Sequence, residues 1–176
     1  MSKVSPINPK SHSGRSPLAH PTRNSLSEDV RAKVSQILVA RLADAIDMVL
    51  MAKQAHWNVK GPQFRALHLQ FDEVHAAALA AMDLMAERAV MLGAQVHGTI
   101  RAAAQRSSLE EYPLDISTDQ DHVRALADRL GAFGKLVRDA IDATDDMGDA
   151  DTADMFTEIS RAIDMQTWMV EAHLRQ

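Results

Sequence analysis

The chain is predicted to be an all-α, four-helix protein, and three observations predict it. Apolar residues recur at helical spacing in four long stretches, no stretch alternates with the period of a strand, and one connection is much longer than the rest. Ser27 is placed to cap the first helix, with Glu28 and Asp29 in its first turn. Val30, Val34, Ile37, Leu38, Ala45 and Val49 then follow one stripe, and this helix is expected to reach about Val59. Gly61 and Pro62 suit a stop followed by a new start. The second stripe is Phe64, Leu67, Phe71, Val74, Ala78, Met85, Ala89 and Leu92, ending at Gly93. Residues 94–118 form the long connection, with Gly98, Tyr112 and Pro113, and a short helix fits Thr99–Gln105. After Thr118 comes a third stripe of Val123, Leu126, Leu130, Phe133, Val137 and Ile141. Gly131 and Gly134 each weaken that helix by about 1 kcal/mol relative to alanine, which close helix packing would explain. The fourth helix is expected over about Thr152–Leu174, with Phe156, Ile159, Ile163 and Val170 inward.

Composition narrows the class. A chain of 176 residues fits one domain with a sizeable core. It has no cysteine, which excludes disulfides, thiolate metal sites and thiol catalysis. No apolar run approaches the roughly 20 residues of a membrane span. The basic N-terminus lacks the apolar segment of a secretory signal, so a soluble, cytoplasmic protein is expected. Charge is uneven. Residues 1–24 hold four of the six prolines and carry Lys3, Lys10, Arg15 and Arg23 with no acid, hence +4; the rest has 15 Lys/Arg against 24 Asp/Glu, hence −9. Residues 1–24 therefore read as a disordered basic arm and residues 25–176 as the helical domain, the two with different partners.

The second helix carries the chemistry. His68 and Asp72 are four apart, and so are Asp83 and Glu87, so each pair shares a face; at about 100° per residue all four fall in one sector. Carboxylate and imidazole donors suit iron. His56, just before the turn at Gly61, stands at the height of His68 just after it, so His56, His68 and Asp72 can converge in an antiparallel hairpin. Asp83 and Glu87 cannot join them from the same chain. Asp72 to Asp83 is about 16 Å along a helix, whereas paired catalytic metals sit about 3.5–4 Å apart. A two-fold axis across the second helix would set one chain's His/His/Asp group against its copy's Asp/Glu group, making two sites at once. Taken singly, acids at helical spacing mark a solvated face and histidines near helix ends are surface residues; only the joint arrangement lifts the signal. An intrachain di-iron site needs Glu-x-x-His pairs on two helices. None occurs, and Asp72-Glu73-Val74-His75 is the nearest approach, leaving His75 as a helix-face residue or an outer neighbour of the metals.

Lys53-Gln54-Ala55-His56-Trp57-Asn58-Val59-Lys60-Gly61 resembles the first signature of the Dps family, and His68-(x3)-Asp72-(x10)-Asp83-(x3)-Glu87-Arg88-Ala89 the second. Glu111-Tyr112-Pro113-Leu114-Asp115-Ile116 and Asp151-Thr152-Ala153-Asp154 are similar to further family segments, and the resemblance covers about residues 26–174. It implies a ferritin-like four-helix bundle, with a short extra helix in the long crossover between helices two and three, assembled as a homo-dodecamer. It assigns His56, His68 and Asp72 to one subunit and Asp83 and Glu87 to its two-fold mate, as a ferroxidase site for two irons. Trp57 beside it is implied to quench or relay oxidising equivalents. The implied reaction oxidises Fe(II), with hydrogen peroxide as the usual oxidant and dioxygen as a slower one, and stores the ferric product in a hollow shell.

Asp142, Asp145, Asp146, Asp149, Asp151, Asp154 and Glu158 have no Lys or Arg among them. Such a run is most often a solvated loop; in the family this region lines iron-admitting pores, which makes Asp149, Asp151 and Asp154 pore candidates. The family also binds DNA through basic tails. Here Lys3, Lys10, Arg15 and Arg23 are the DNA-binding candidates, acting together across many arms on one shell, on double-stranded DNA without sequence preference and with nucleoid association as the consequence. Two function classes follow: an iron-oxidising storage shell, and a shell whose main role is sequence-independent DNA binding and compaction.

Overall fold

A computed structural model describes residues 18–174. Among these residues five helices follow in order: α1 Glu28–Asn58, α2 Phe64–Met91, the short α3 Ile100–Ala104, α4 Asp119–Asp146 and α5 Ala150–Glu171. α1 pairs with α2 and α4 with α5, while α1 also packs on α4 and α2 on α5. The four long helices thus form a bundle. Among the described residues no helix is long and apolar enough to cross a membrane.

Local chemistry sets the helix ends. The Ser27 hydroxyl accepts from Val30 N–H at 3.3 Å, and Thr118 does the same for Asp121 at 3.1 Å. Gly61, at φ +136°, makes the α1–α2 turn, and a Cβ there would stand 2.8 Å from the Asp119 carboxyl. α4 therefore begins where α1 ends. At that same end Gln70 bonds Gln166 at 2.8 Å and Gln120 donates to the carbonyl of His173 at 3.0 Å, so α5 finishes there too. Since α2 ends and α4 starts at opposite ends of the bundle, the crossover must run its length. The core is Leu38, Met48, Phe71, Met85, Leu130, Phe133 and Phe156, all fully buried. Each such side chain contributes about 1.5–3 kcal/mol of transfer free energy.

The crossover is fastened as it climbs. The buried Asp44 carboxylate accepts from the amide and hydroxyl of Ser108 at 2.7 and 2.9 Å, and from Arg41 at 2.8 Å. From α4, Arg129 donates to the carbonyls of Glu110 and Glu111 at 3.1 and 2.7 Å. These bonds seat Tyr112 in the interior, 5 % exposed.

Three expectations need correction. Residues 18–24 are docked on the bundle. Leu18 pairs with Ala94, the amides of Ala19 and His20 both donate to Gly93 O at 2.8 and 3.0 Å, and Thr22 donates to Met91 O at 3.2 Å. Gly93 permits this: its φ is +95°, and a Cβ would meet His20 O at 2.6 Å. The fourth long helix spans 150–171 where 152–174 was expected, because Asp149 caps it; both Asp149 and Thr152 are buried. Helix packing does not explain Gly131, whose Cβ position meets nothing within 4 Å; it applies to Gly134, which faces Ile163 at 3.6 Å.

Candidate metal centre

The α1–α2 turn brings His56 and His68 face to face. Their rings stack with centroids 3.6 Å apart at 23°. His56 Nδ1 lies 2.7 Å from the backbone carbonyl of His68, and His68 Nδ1 lies 2.9 Å from that of His56. A carbonyl only accepts, so each Nδ1 carries the proton and donates it. In the neutral ring this leaves the lone pair on Nε2 in both residues, which is how a metal-binding imidazole is oriented by an outer partner. Phe64 also lies against His68, centroid to centroid 5.1 Å at a tilt of 32°.

Asp72 stands one turn along α2 from His68. Its Oδ1 is 3.3 Å from His56 Nδ1 and is held by the ammonium of Lys53. The hydrogen bond from Lys53 keeps this carboxyl below the usual carboxylate range; partial burial opposes that, and His56, the Lys53 charge and His68 add to it. A cation binding Asp72 has to compete with Lys53. Sequence reasoning missed Lys53, although its place three residues before His56 sets both on one face of α1.

Asp83 and Glu87 are exposed on α2 and, among the described residues, have no hydrogen bond or ion pair within the chain. Among the described residues, no three His or acid side chains of one chain are grouped to hold a metal ion. The candidate donors therefore lie in two parts: two oriented imidazoles with Asp72, and two uncommitted carboxylates further down the same helix. His75 belongs to neither part; it is half-buried with Nδ1 3.2 Å from Val49 O. Trp57 is 66 % exposed and lines a groove of about 590 Å³ with Leu50, Leu114 and Tyr112.

Asp149 has a different place from that expected of a pore residue. It is 2 % exposed, with Oδ1 accepting from Thr152 N–H at 3.1 Å and from Arg88 at 2.7 Å, and Oδ2 from the Thr152 hydroxyl at 2.6 Å. Its charge is spent on the α5 cap and on Arg88, so it faces no passing ion. Asp151 and Asp154 are exposed. Lys3, Lys10 and Arg15 lie outside the described residues, and Arg23 is exposed within the docked segment.

A helical bundle with one long crossover is an architecture of ferritin-like proteins. The family model for the ferritin-like domain matches residues 35–176. The chain is 41 % identical over 157 residues to the DNA protection during starvation protein of Agrobacterium fabrum, covering 89 % of this chain and 97 % of the relative. It is 33 % identical over 147 residues to DNA protection during starvation protein 1 of Deinococcus radiodurans, covering 84 % and 71 %. Among solved structures, the Dps of Microbacterium arborescens in its high-iron form aligns with a TM-score of 0.78 at 32 % identity, over 86 % of this chain and 97 % of that one. The Dps of Mycobacterium smegmatis aligns with a TM-score of 0.85 at 27 % identity, over 90 % and 96 %. The chain belongs to the Dps family of ferritin-like proteins.

Proposed function

We propose that this protein oxidises Fe(II) at a site completed by a second copy of the chain and stores the ferric product within a dodecameric shell. The observation that carries this reading is the divided donor set on α2. Its two parts are symmetric: 72 + 83 and 68 + 87 both equal 155, so both pairs are centred between Ala77 and Ala78. A two-fold axis there lays α2 antiparallel on its copy and brings Asp72 to the height of the copy's Asp83, and His68 to that of its Glu87. Ala76 and Ala80 are exposed beside this centre, and short side chains let two helices approach closely. Leu50, Trp57, Leu79 and Leu114 are at least 42 % exposed, an apolar surface of the kind a second copy covers.

The chemistry follows from the donors. Fe(II) is the substrate. The two Nε2 lone pairs and three carboxylates provide nitrogen and oxygen ligands for two ferrous ions. Hydrogen peroxide, taking one electron from each, is reduced to water without releasing hydroxyl radical; dioxygen is the slower oxidant. Asp151 and Asp154 are the remaining candidates for an acidic entry path. The high-iron form of the Microbacterium arborescens relative supports iron as the cargo. The test is anaerobic Fe(II) titration followed by peroxide: about two Fe(II) are oxidised per peroxide, and His68→Ala abolishes the reaction. Wild-type stoichiometry and rate in His68→Ala would remove the reading.

DNA protection is the second function, favoured by the +4 arm on a −9 body and by the names of the Agrobacterium and Deinococcus relatives. The arm's cations would release counterions from double-stranded DNA without reading its sequence.

A further inference from the structure

Tyr112 is the only tyrosine in the chain, and it is buried. Its hydroxyl lies 2.8 Å from His122 Nδ1, in a fully buried pair linking the crossover to α4. The two rings are nearly parallel, at 15° with centroids 6.1 Å apart. The same tyrosine forms a wall of the groove that Trp57 lines, and Trp57 is the chain neighbour of His56. Burial pushes the phenol well above its usual range, against the opposing charge of Arg129. Burial also pulls the His122 imidazole below its usual value, against Asp121 and the Asn58 backbone. A protonated phenol thus faces a neutral imidazole, and in the tautomer that carries its proton on Nε2, toward the Asn58 backbone, Nδ1 accepts from the phenol. A plain core contact needs only apolar atoms here. What this pair adds is a base positioned on a buried phenolic proton.

We propose that Tyr112 and His122 are a proton-coupled electron donor to Trp57, which discharges an oxidised indole beside the iron site. Where peroxide meets a single Fe(II) instead of a pair, it takes one electron and splits into hydroxide and a hydroxyl radical; when that radical takes an electron from Trp57 and becomes hydroxide, one electron leaves the Tyr112 ring and refills the indole. The Tyr112 O–H bond breaks and its proton moves to His122 Nδ1. Trp57 is restored, Tyr112 becomes a neutral phenoxyl radical and His122 an imidazolium. A later electron from Fe(II), which becomes Fe(III), returns Tyr112 to the phenol as His122 gives the proton back. The Arg129 guanidinium disfavours a second positive charge on the ring, so electron and proton must leave together. The proposal rests on the iron reading only for the source of the oxidant.

Pulse radiolysis tests it without iron. In full-length Trp168→Phe protein, Trp57 is the only indole of the two in the chain. Azidyl radicals oxidise it, and the expected result is decay of indolyl absorbance with matching first-order growth of tyrosyl absorbance, independent of protein concentration. Tyr112→Phe leaves the indolyl radical long-lived. His122→Asn keeps an acceptor for the hydroxyl but removes the base, and transfer slows by about a hundredfold or more, the low end of what a positioned base supplies. Folding of each variant is checked by circular dichroism, and Tyr112→Phe, which removes one oxygen, decides the matter if His122→Asn fails to fold. Indolyl decay without tyrosyl growth, or an unchanged rate in folded His122→Asn, overturns the proposal. Failure here leaves the iron titration untouched, and a failed titration leaves the radiolysis result standing.

Discussion

Mixing two inactive variants measures the two-fold arrangement directly. His68→Ala removes one of the stacked imidazoles, and Asp83→Ala removes one of the free carboxylates 15 residues along α2. In each variant alone every site is defective. If subunits exchange freely during assembly, a site is intact only when its His/His/Asp half comes from Asp83→Ala and its Asp/Glu half from His68→Ala. With a fraction x of His68→Ala chains, the intact fraction is x(1 − x), or about one quarter of all sites at equal mixing. Activity against composition is therefore a parabola that vanishes at both ends. The assay is the initial rate of Fe(II) oxidation by peroxide at low iron loading, with the composition of each particle read by native mass spectrometry. Zero activity at every verified mixture would refute the shared site, because a complete site within one chain gains nothing from a partner.

Two further outcomes are expected. Deleting residues 1–17, which removes Lys3, Lys10 and Arg15, abolishes a DNA gel shift at low salt, and extending the deletion to residue 24 lowers the melting temperature by several further degrees, since three hydrogen bonds to Gly93 and Met91 are lost at about 1 kcal/mol each; binding by the full chain should fall with salt at about −0.9 in log K per phosphate contacted, and a persistent shift by the shorter chains would place the DNA contact elsewhere. Arg88→Met strands the buried Asp149 carboxylate and is expected to cost about 3–5 kcal/mol in denaturant unfolding at fixed protein concentration, with Arg88→Met/Asp149→Asn recovering part of it; a loss below about 1 kcal/mol would mean that the 2.7 Å contact contributes no more than a surface pair.

Much was legible in the sequence because it is local. Helical periodicity is carried by neighbours three and four apart, so the four long helices, the short α3 and the Ser27 cap followed from side-chain types alone. The same locality placed His68, Asp72, Asp83 and Glu87 along one face and made the gap between the two groups a matter of rise per residue. Other features depended on residues far apart in the chain. Asp149 stood in an acidic run and looked solvated; Arg88, 61 positions away, buries it and takes its charge. Residues 18–24 had no period of their own, yet Gly93 offers a carbonyl and the space a Cβ would fill. The lone pairs of His56 and His68 point where they do because each ring's Nδ1 is bound by the carbonyl of the other residue across the turn. Tyr112 meets His122 only because Asp44 and Arg129 fasten the crossover against α1 and α4. The sequence determined the helices and the kinds of donor they carry, since those depend on spacing within one element. Only the tertiary structure decided which polar groups are buried and which atom each presents, because desolvation and hydrogen-bond pairing are properties of neighbours in space.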